Sequence, residues 1–447
     1  MPSYTSLASS SVITQVASQA ASLNSFGARD RPNVVSVVLG GGEGKRLYPL
    51  TLTCSKPAIN FAGKYRLVDI PVSNSIHAGF RTFVLTQFLA SSLHHHLFQT
   101  YIQNGKFGTT LEILTAEQKP TQKSWYLGTA DAVRQNIDYL LETQAEYFLI
   151  LSGDQIYNMD LQQMVNFAIV SDVDAVVATL PVNVHDASRM GVLKINQQQH
   201  ITEFHEKPQD AALLRSLRCA VRGPEKGDEG CYLASMGIYL FKRRALVDLL
   251  QKDPREDFGK HLIPTQVAHG KIAAFLHDGY WEDIGTIATF YAANMAMTSP
   301  TAPFNLYDKK RPIFSCRYEV PPTQITQTDI KAALLCEGGV IEADSINHSI
   351  IGPRSVIHKG AIIADSYLMG NDYYEMPTHD YHRLPPIPHI GEETIIRNAI
   401  IDKNVVIGKH VQLINKQKLS NYDGPVFIRD GIIIVPRGAV IPDGFIL

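Results

Sequence analysis

A chain of 447 residues can bury several cores, and about three domains of ordinary size is the expectation from length alone. Apolar residues make up 45% of it and charged residues 19%, which excludes disorder as its general state. Lysine and arginine number 41 against 43 acids, and this net charge of -2 argues against a dedicated nucleic-acid binder. No run approaches the ~18 apolar residues of a membrane-spanning helix. The five cysteines (Cys54, Cys219, Cys231, Cys316 and Cys336) are odd in number and scattered, without a CxxC pair. That excludes a disulfide framework and a zinc ribbon and suits a reducing compartment. The expectation is a soluble, multi-domain protein of the cytoplasm, with the plastid stroma as the alternative.

In chain order, residues 1–31 are rich in Ser, Ala and Thr, with Asp30 their only acid and Arg29 and Arg31 their only basic residues. They are expected to form a disordered or loosely docked tail; a transit peptide is the weaker alternative. Val34–Leu39 is a β-branched run that stops at Gly40-Gly41-Gly42, as a buried strand feeding a loop would. Similar runs recur at Thr82–Leu85, Tyr147–Leu151, Ala175–Leu180 and Met236–Phe241. Between them lie helical stripes, one of Val133, Ile137, Leu140 and Leu141 and another of Leu246, Leu249 and Leu250. Strands alternating with helices predict an open α/β sheet, mostly parallel, with ligands at the carboxyl ends of its strands.

This domain is expected to occupy residues 32–300. Residues 301–333 hold Pro303, Pro312, Pro321 and Pro322 just beyond Pro300, and are expected to form an extended connector. From residue 334 to 447 the periodicity changes to six. Ile350, Val356, Ile362 and Leu368 form one set, Ile395, Ile401, Ile407 and Leu413 a second, and Ile428, Ile434, Val440 and Ile446 a third. Such a repeat marks a parallel β-helix in which each short strand places one aliphatic inside. The stretch Asn371–Pro388 interrupts the coil and is expected as a surface loop.

The most informative segment is Gly40-Gly41-Gly42-Glu43-Gly44-Lys45-Arg46-Leu47, followed by Pro49-Leu50-Thr51 and Lys56-Pro57-Ala58. Consecutive glycines let backbone N–H groups approach an anion closely. Two familiar glycine loops fail here. A P-loop needs glycine at 39 and Ser or Thr at 46, where the chain has Leu39 and Arg46. A dinucleotide fingerprint needs a third glycine at 45, which is Lys45. Arg46 and Lys56 favour a polyphosphate over an unliganded turn. Asp154 ends an apolar strand and Asp283 follows the run Ile272–Leu276; either could be a plain cap or one of the carboxylates that hold Mg²⁺ on phosphate oxygens. His94-His95-His96 cannot converge on one ion from adjacent helix positions, and the expectation is a partly exposed helical face.

These motifs together resemble the sugar-phosphate nucleotidylyltransferases. Tyr65–Asn74, Trp125–Ala132, Ser152-Gly153-Asp154, Glu203–Pro208, Ser235-Met236-Gly237 and Gly279–Thr286 narrow the resemblance to the ADP-glucose pyrophosphorylases (glucose-1-phosphate adenylyltransferases). Leu368–Glu375 and Ala399–Asn404 are similar to the plant and cyanobacterial branch. The resemblance runs from about Val34 to Leu447. It implies a Rossmann-like catalytic domain, a left-handed parallel β-helix, Mg²⁺ as cofactor, and ATP and glucose 1-phosphate as substrates. A homotetramer controlled by anionic effectors is also implied, whose product supplies glucosyl units for glycogen or starch.

Residue by residue, the resemblance makes Arg46, Lys56, Asp154 and Asp283 catalytic, with both aspartates holding the metal. It places Gly40, Gly41, Gly42, Gly44, Gln118, Tyr126, Gly128 and Thr129 on ATP. Glu206, Lys207, Ser235, Asp257, Phe258 and Trp281 fall on glucose 1-phosphate. An inter-domain anion site falls to Arg66, Lys416 and Arg437, three cations without acidic sequence neighbours. The chain departs from the family pattern at Glu117-Gln118, where two glutamines are common. Further departures are Cys54, where an arginine is usual, and Arg437, where the plant pattern has lysine. The rival readings are another sugar nucleotidylyltransferase using UTP, dTTP or GTP, and a non-catalytic regulatory subunit. The second is disfavoured because the essential charges remain. An acyltransferase built on the coil would need a catalytic histidine, for which His348, His358 and His410 lack a motif.

Overall fold

The computed structural model describes residues 32–103, 111–117, 125–219, 231–317, 319–374 and 388–447. The tail 1–31, Gln118 and most of the expected loop after Asn371 lie outside them. No helix among the described residues is long and apolar enough to cross a membrane.

The β-branched runs are strands of one nine-stranded sheet: β1 (Val34–Gly40), β2 (Arg81–Thr86), β3 (Leu111–Thr115), β4 (Tyr147–Ser152), β5 (Ala175–Val182), β6 (Gly191–Ile195), β7 (Ile201–Glu206), β8 (Tyr232–Lys242) and β9 (Ile272–Leu276). The order is β7-β6-β8-β4-β1-β2-β3, with β5 also on β8 and β9 on β5. β1 is parallel to β2 and β4, β2 to β3, and β5 to β9, while β8 runs against β4, β5 and β6, and β7 against β6. All strands except β7 and β8 therefore run one way, and the sheet is mostly parallel as the alternation predicts. The register sets Gly40 beside Thr86 and Leu39 beside Ser152, so the glycine loop and the turn after β4 share the carboxyl edge.

The first helical stripe is two helices, Thr129–Gln135 and Ile137–Glu142, broken at Asn136, with Val133 and Leu140 fully buried. Leu246, Leu249 and Leu250 form the buried stripe of Arg243–Lys252. The histidine triplet lies on the helix Ala90–Leu97, and only part of it fits an exposed face. His95 is exposed, but His96 is 3% exposed and its Nε2 is 2.6 Å from Asp69 Oδ1. The partner is 27 residues away in sequence, so the spacing gave no sign of it.

The coil follows. Its first strands, Gln324–Ile325 and Asp329–Leu335, begin within the proline-rich stretch expected as a connector and pair in parallel with Val340–Ile341 and Ser345–Ile351. The described residues between Pro300 and Pro322 form no regular element. The six-residue phase needs correction. Ile401, Ile407, Leu413 and Ile428 do line the interior, but at other turns the interior column lies one residue on, at Ile351, Ile357, Ile363 and Ile396. Ile350, Tyr367, Ile400 and Ile434, paired across successive strands, face outward and join the catalytic domain's core. Val440 and Ile446 are exposed. Doublets such as Ile350-Ile351 and Ile400-Ile401 satisfy two phases at once, one for each side of the strand.

The outward column packs against the helix Ile287–Ala296, where the Phe290 and Tyr367 rings are 6.0 Å apart and Tyr291 Oη donates to Asp365 O at 2.7 Å. Gly63 N–H donates to Tyr367 Oη at 3.3 Å. Apolar packing with few polar contacts thus fixes coil and sheet together.

Candidate functional site

The turn after β4 builds the centre. Gly153 N–H donates to Leu39 O at 3.1 Å and bends the chain toward the glycine loop. A short strand, Gln155–Tyr157, follows and pairs antiparallel with Trp281–Asp283, Asp283 opposite Gln155. Asp154 and Asp283, 129 positions apart in the sequence, are thereby neighbours, and Ile284 N–H donates to Asp154 O at 3.4 Å. Lys56 Nζ lies 2.5 Å from Asp154 Oδ2, and Ser152 Oγ donates to Oδ1.

Burial would raise the Asp154 carboxyl, but the Lys56 ammonium and these hydrogen bonds hold it below the usual range. Asp283 moves the other way, pushed up by burial and then by the charge of Asp154, against the pull of Lys56, Arg46 and Lys207. Two adjacent carboxylates, one already ionised, form a donor set that a divalent cation would relieve. Mg²⁺ is held by one or two carboxylates plus substrate phosphates, so these residues fit it. Among the described residues no group of three or more His, Cys, Asp or Glu side chains gathers, so phosphate oxygens would complete the shell.

Gly44 is at φ 69°, and a Cβ there would meet Thr51 at 2.9 Å and Lys56 Cβ at 3.1 Å. This left-handed position starts the turn Lys45–Leu47, which buries Leu47 and leaves Arg46 exposed. Lys45 instead pairs with Glu43 at 3.0 Å. Arg46 faces the aspartates: the space over Gly285 lies 3.2 Å from Asp283 Oδ2 and 3.5 Å from Arg46 Nη1. Gly40 is buried, and Gly41 and Gly42 are progressively more open.

Tyr126 stands near Gly41. Its hydroxyl accepts from Asn136 Nδ2 at 2.8 Å and its N–H donates to Gln87 Oε1 at 2.5 Å. At Gly128 a Cβ would lie 2.5 Å from Glu256 O, a carbonyl that also accepts from the N–H groups of Ala130 and Asp131. The close approach here is made by Glu256, which occupies the first amides of the helix. Thr129 Oγ1 accepts from Phe258 N at 3.0 Å and donates to Asp257 Oδ2 at 3.4 Å. The nucleotide-side and sugar-side candidates are therefore locked to one another.

On the sugar side, Lys207 Nζ is 3.4 Å from Glu206 Oε1 and 61% exposed, and burial raises the Glu206 carboxyl while Lys207 opposes. Glu206 Oε2 lies 3.0 Å from the space over Gly259. Ser235 is buried and its Oγ accepts from Gly237 N at 3.2 Å. Asp257 caps the turn Phe258–Leu262, accepting from Lys260 N at 2.9 Å. The rings of Phe258 and Trp281 are buried in the wall of the site. Phe258 is 1% exposed and packs with Tyr239 and Phe241; Trp281 is 9% exposed and donates to Gln155 Oε1 at 3.2 Å. Gln155 was missed by sequence reasoning. Its Nε2 donates to Met236 O at 2.7 Å, tying the strands of Asp154, Asp283 and Ser235 together, a role that its place beside Asp154 does not announce.

Of the second cationic set, Arg437 pairs with Asp372, and the buried Lys403 reaches the same carboxylate at 2.6 Å. Asn404 Nδ2 donates to it at 3.1 Å. Arg66 donates to Ser92 O at 3.2 Å, and its charge is felt by Lys403 and by Cys54. Lys416 Nζ donates to Gln412 Oε1 at 3.0 Å. The acid that meets Arg437 comes from 65 positions away in the sequence, at Asp372.

Burial would raise Asp372, yet Lys403 and Arg437 hold it at about 2. A depressed carboxyl stabilises the fold above its unfolded value and loses that contribution as pH falls through the folded value. Asp372→Asn is therefore expected to cost about 1–2 kcal/mol at neutral pH, allowing for the wetted side chain. Denaturant unfolding of both proteins should show the difference shrink as pH drops from about 4 toward 2.

A mostly parallel sheet with a glycine loop, paired aspartates and three facing cations at its carboxyl edge, followed by a parallel β-helix, defines a nucleotide-transferring enzyme of two domains. Residues 35–300 match the family model "Nucleotidyl transferase", and residues 317–446 match the model "GLGC left-handed parallel beta-helix domain". The chain belongs to the nucleotidyl transferase family, and the order of the two matches fits the ADP-glucose pyrophosphorylases.

Proposed function

We propose that the protein is a glucose-1-phosphate adenylyltransferase, converting ATP and glucose 1-phosphate to ADP-glucose and pyrophosphate. The observation that carries this reading is the adjacency of Asp154 and Asp283 within reach of Lys56, Arg46 and Lys207. A phosphate oxygen of the sugar phosphate forms a bond to the α-phosphorus of ATP, and the bond to the pyrophosphate oxygen breaks in line. The nucleophile is already anionic, so no general base is needed, and catalysis consists of positioning and charge stabilisation.

Asp154 and Asp283 would hold Mg²⁺, which when bound supplies neutralisation of phosphate charge. Lys56 keeps Asp154 ionised and, with Arg46, faces the leaving pyrophosphate. Lys207 takes the sugar phosphate, and Glu206, Ser235 and the Asp257 turn take sugar hydroxyls. The glycine loop and the Tyr126–Thr129 segment receive the nucleotide.

Release of pyrophosphate from ATP, glucose 1-phosphate and Mg²⁺ is the first test. Lys207→Ala should then raise the KM for glucose 1-phosphate about 10-fold or more and leave that for ATP nearly unchanged. If both Michaelis constants move together, the sugar phosphate is held elsewhere.

The regulatory part of the reading is an anionic metabolite acting at Arg66, Lys416 and Arg437 in competition with Asp372. Joint replacement of Lys416 and Arg437 by alanine is expected to abolish the response to phosphorylated metabolites and spare unstimulated turnover. An unchanged activation curve would remove this site. A homotetramer and the supply of glucosyl units to glycogen or starch belong to the same proposal and rest on the family.

A further inference from the structure

Cys219 and Cys231 look unrelated in sequence, twelve positions apart with no CxxC spacing. In the fold they are directly opposed residues of an isolated antiparallel bridge. Cys219 N–H donates to Cys231 O at 2.9 Å, and the two Sγ atoms are 3.1 Å apart. Opposed residues of an antiparallel pair have Cα atoms about 4.5–5.5 Å apart, inside the span a disulfide bridges. The sulfurs already sit closer than the roughly 3.5–4.0 Å separation of ordinary non-bonded heavy atoms.

The backbone on both sides is fixed independently. Leu217 and Tyr232 are buried in one cluster with Val182, Val192 and Ala234, so both arms are anchored beside the pair. The two thiols differ in access: Cys219 is half-buried and Cys231 is fully buried. The other cysteines are poor competitors. Burial pushes the Cys54 thiol up to about 11 and that of Cys336 up to about 12, and also raises Cys316.

We propose that Cys219 and Cys231 are a reversible redox pair that closes a disulfide under oxidation. The bond would fasten the arm running from Lys207 to the strand that leads to Ser235. The oxidant is a small-molecule disulfide. The Cys219 thiolate attacks one of its sulfurs and expels a thiolate. The Cys231 thiolate then attacks Cys219 Sγ and expels the second. The protein loses two protons and two electrons, and the oxidant takes up both and is reduced to two thiols.

The test treats the full-length protein with oxidised glutathione, blocks remaining thiols by alkylation and reads the peptides by mass spectrometry. Cys219 and Cys231 should leave the alkylatable pool together and appear as one cross-linked peptide within a single chain. Cys54, Cys316 and Cys336 should stay alkylated, and dithiothreitol should restore all five thiols. In Cys231→Ser the resolving thiol is absent, so glutathione should accumulate on Cys219. In Cys219→Ser the buried Cys231 should remain a thiol. Stable glutathione on Cys219 in the unsubstituted protein would overturn the proposal. So would a cross-link to another cysteine or between chains, or full retention of both thiols in excess oxidant. The readout is independent of the activity, so it stands or falls apart from the adenylyltransferase reading.

Discussion

Asp154→Asn is expected to lower kcat by about 100-fold or more, several kcal/mol of barrier, while the protein stays folded. The side chain keeps its shape, and the turn that presents it is fixed by backbone bonds, Gly153 to Leu39 and Ile284 to Asp154 itself. What disappears is the charge that pairs with Lys56 and, with Asp283, would hold the metal. Loss of the charge should also let Asp283 ionise more readily, since Asp154 is one of the two causes raising it. The check is steady-state turnover across Mg²⁺ concentrations beside a thermal unfolding curve. Retained turnover with unaltered Mg²⁺ dependence would show that the aspartate is only a turn residue.

The largest effect on stability is expected at Asp69. It is fully buried and accepts from His96 Nε2 at 2.6 Å, Tyr101 Oη at 2.7 Å, Ser315 Oγ at 2.6 Å and Arg66 N–H at 2.9 Å. Burial would raise its carboxyl, but His96 and the hydrogen bonds hold it below the usual range. The donors come from Arg66 just ahead of Asp69, from the helix Ala90–Leu97, from the residues after it and from the chain that leaves the catalytic domain. Asp69→Ala would strand these donors away from water and is expected to cost about 3–5 kcal/mol. Asp69→Asn, which keeps one carbonyl acceptor, should cost less. Denaturant midpoints of the two variants against the parent decide it; a cost under about 1 kcal/mol for the alanine variant would mean that water replaces the carboxylate.

The parts of this protein that are legible in the sequence are those set by local pattern. The β-branched runs ending at Gly40, Leu85 and Leu151 mark strands because burial on both faces requires continuous apolar residues. Asp154 is legible as a strand-end carboxylate. Its neighbour Asp283 is not, because their adjacency depends on pairing two three-residue strands separated by more than a hundred positions. The partners of His96 and Arg437 are hidden from the sequence for the same reason, since their acids, Asp69 and Asp372, arrive from elsewhere in the chain. The coil was legible as a coil but not in phase. Ile350-Ile351 carries the interior residue and the outward residue side by side, and only the catalytic domain's presence on one flank distinguishes them. Phe258 and Trp281 belong to motif segments, and their rings are buried, which the motifs alone do not reveal.

The proposed activity is transfer of an adenylyl group between pyrophosphate and glucose 1-phosphate. Pyrophosphorolysis across a panel of sugar nucleotides tests it most directly: ADP-glucose, UDP-glucose, dTDP-glucose and GDP-mannose, each with pyrophosphate and Mg²⁺. The account predicts that ADP-glucose gives ATP and glucose 1-phosphate with a kcat/KM about 100-fold or more above the others. Faster cleavage of any other member of the panel, or none of ADP-glucose, would contradict it.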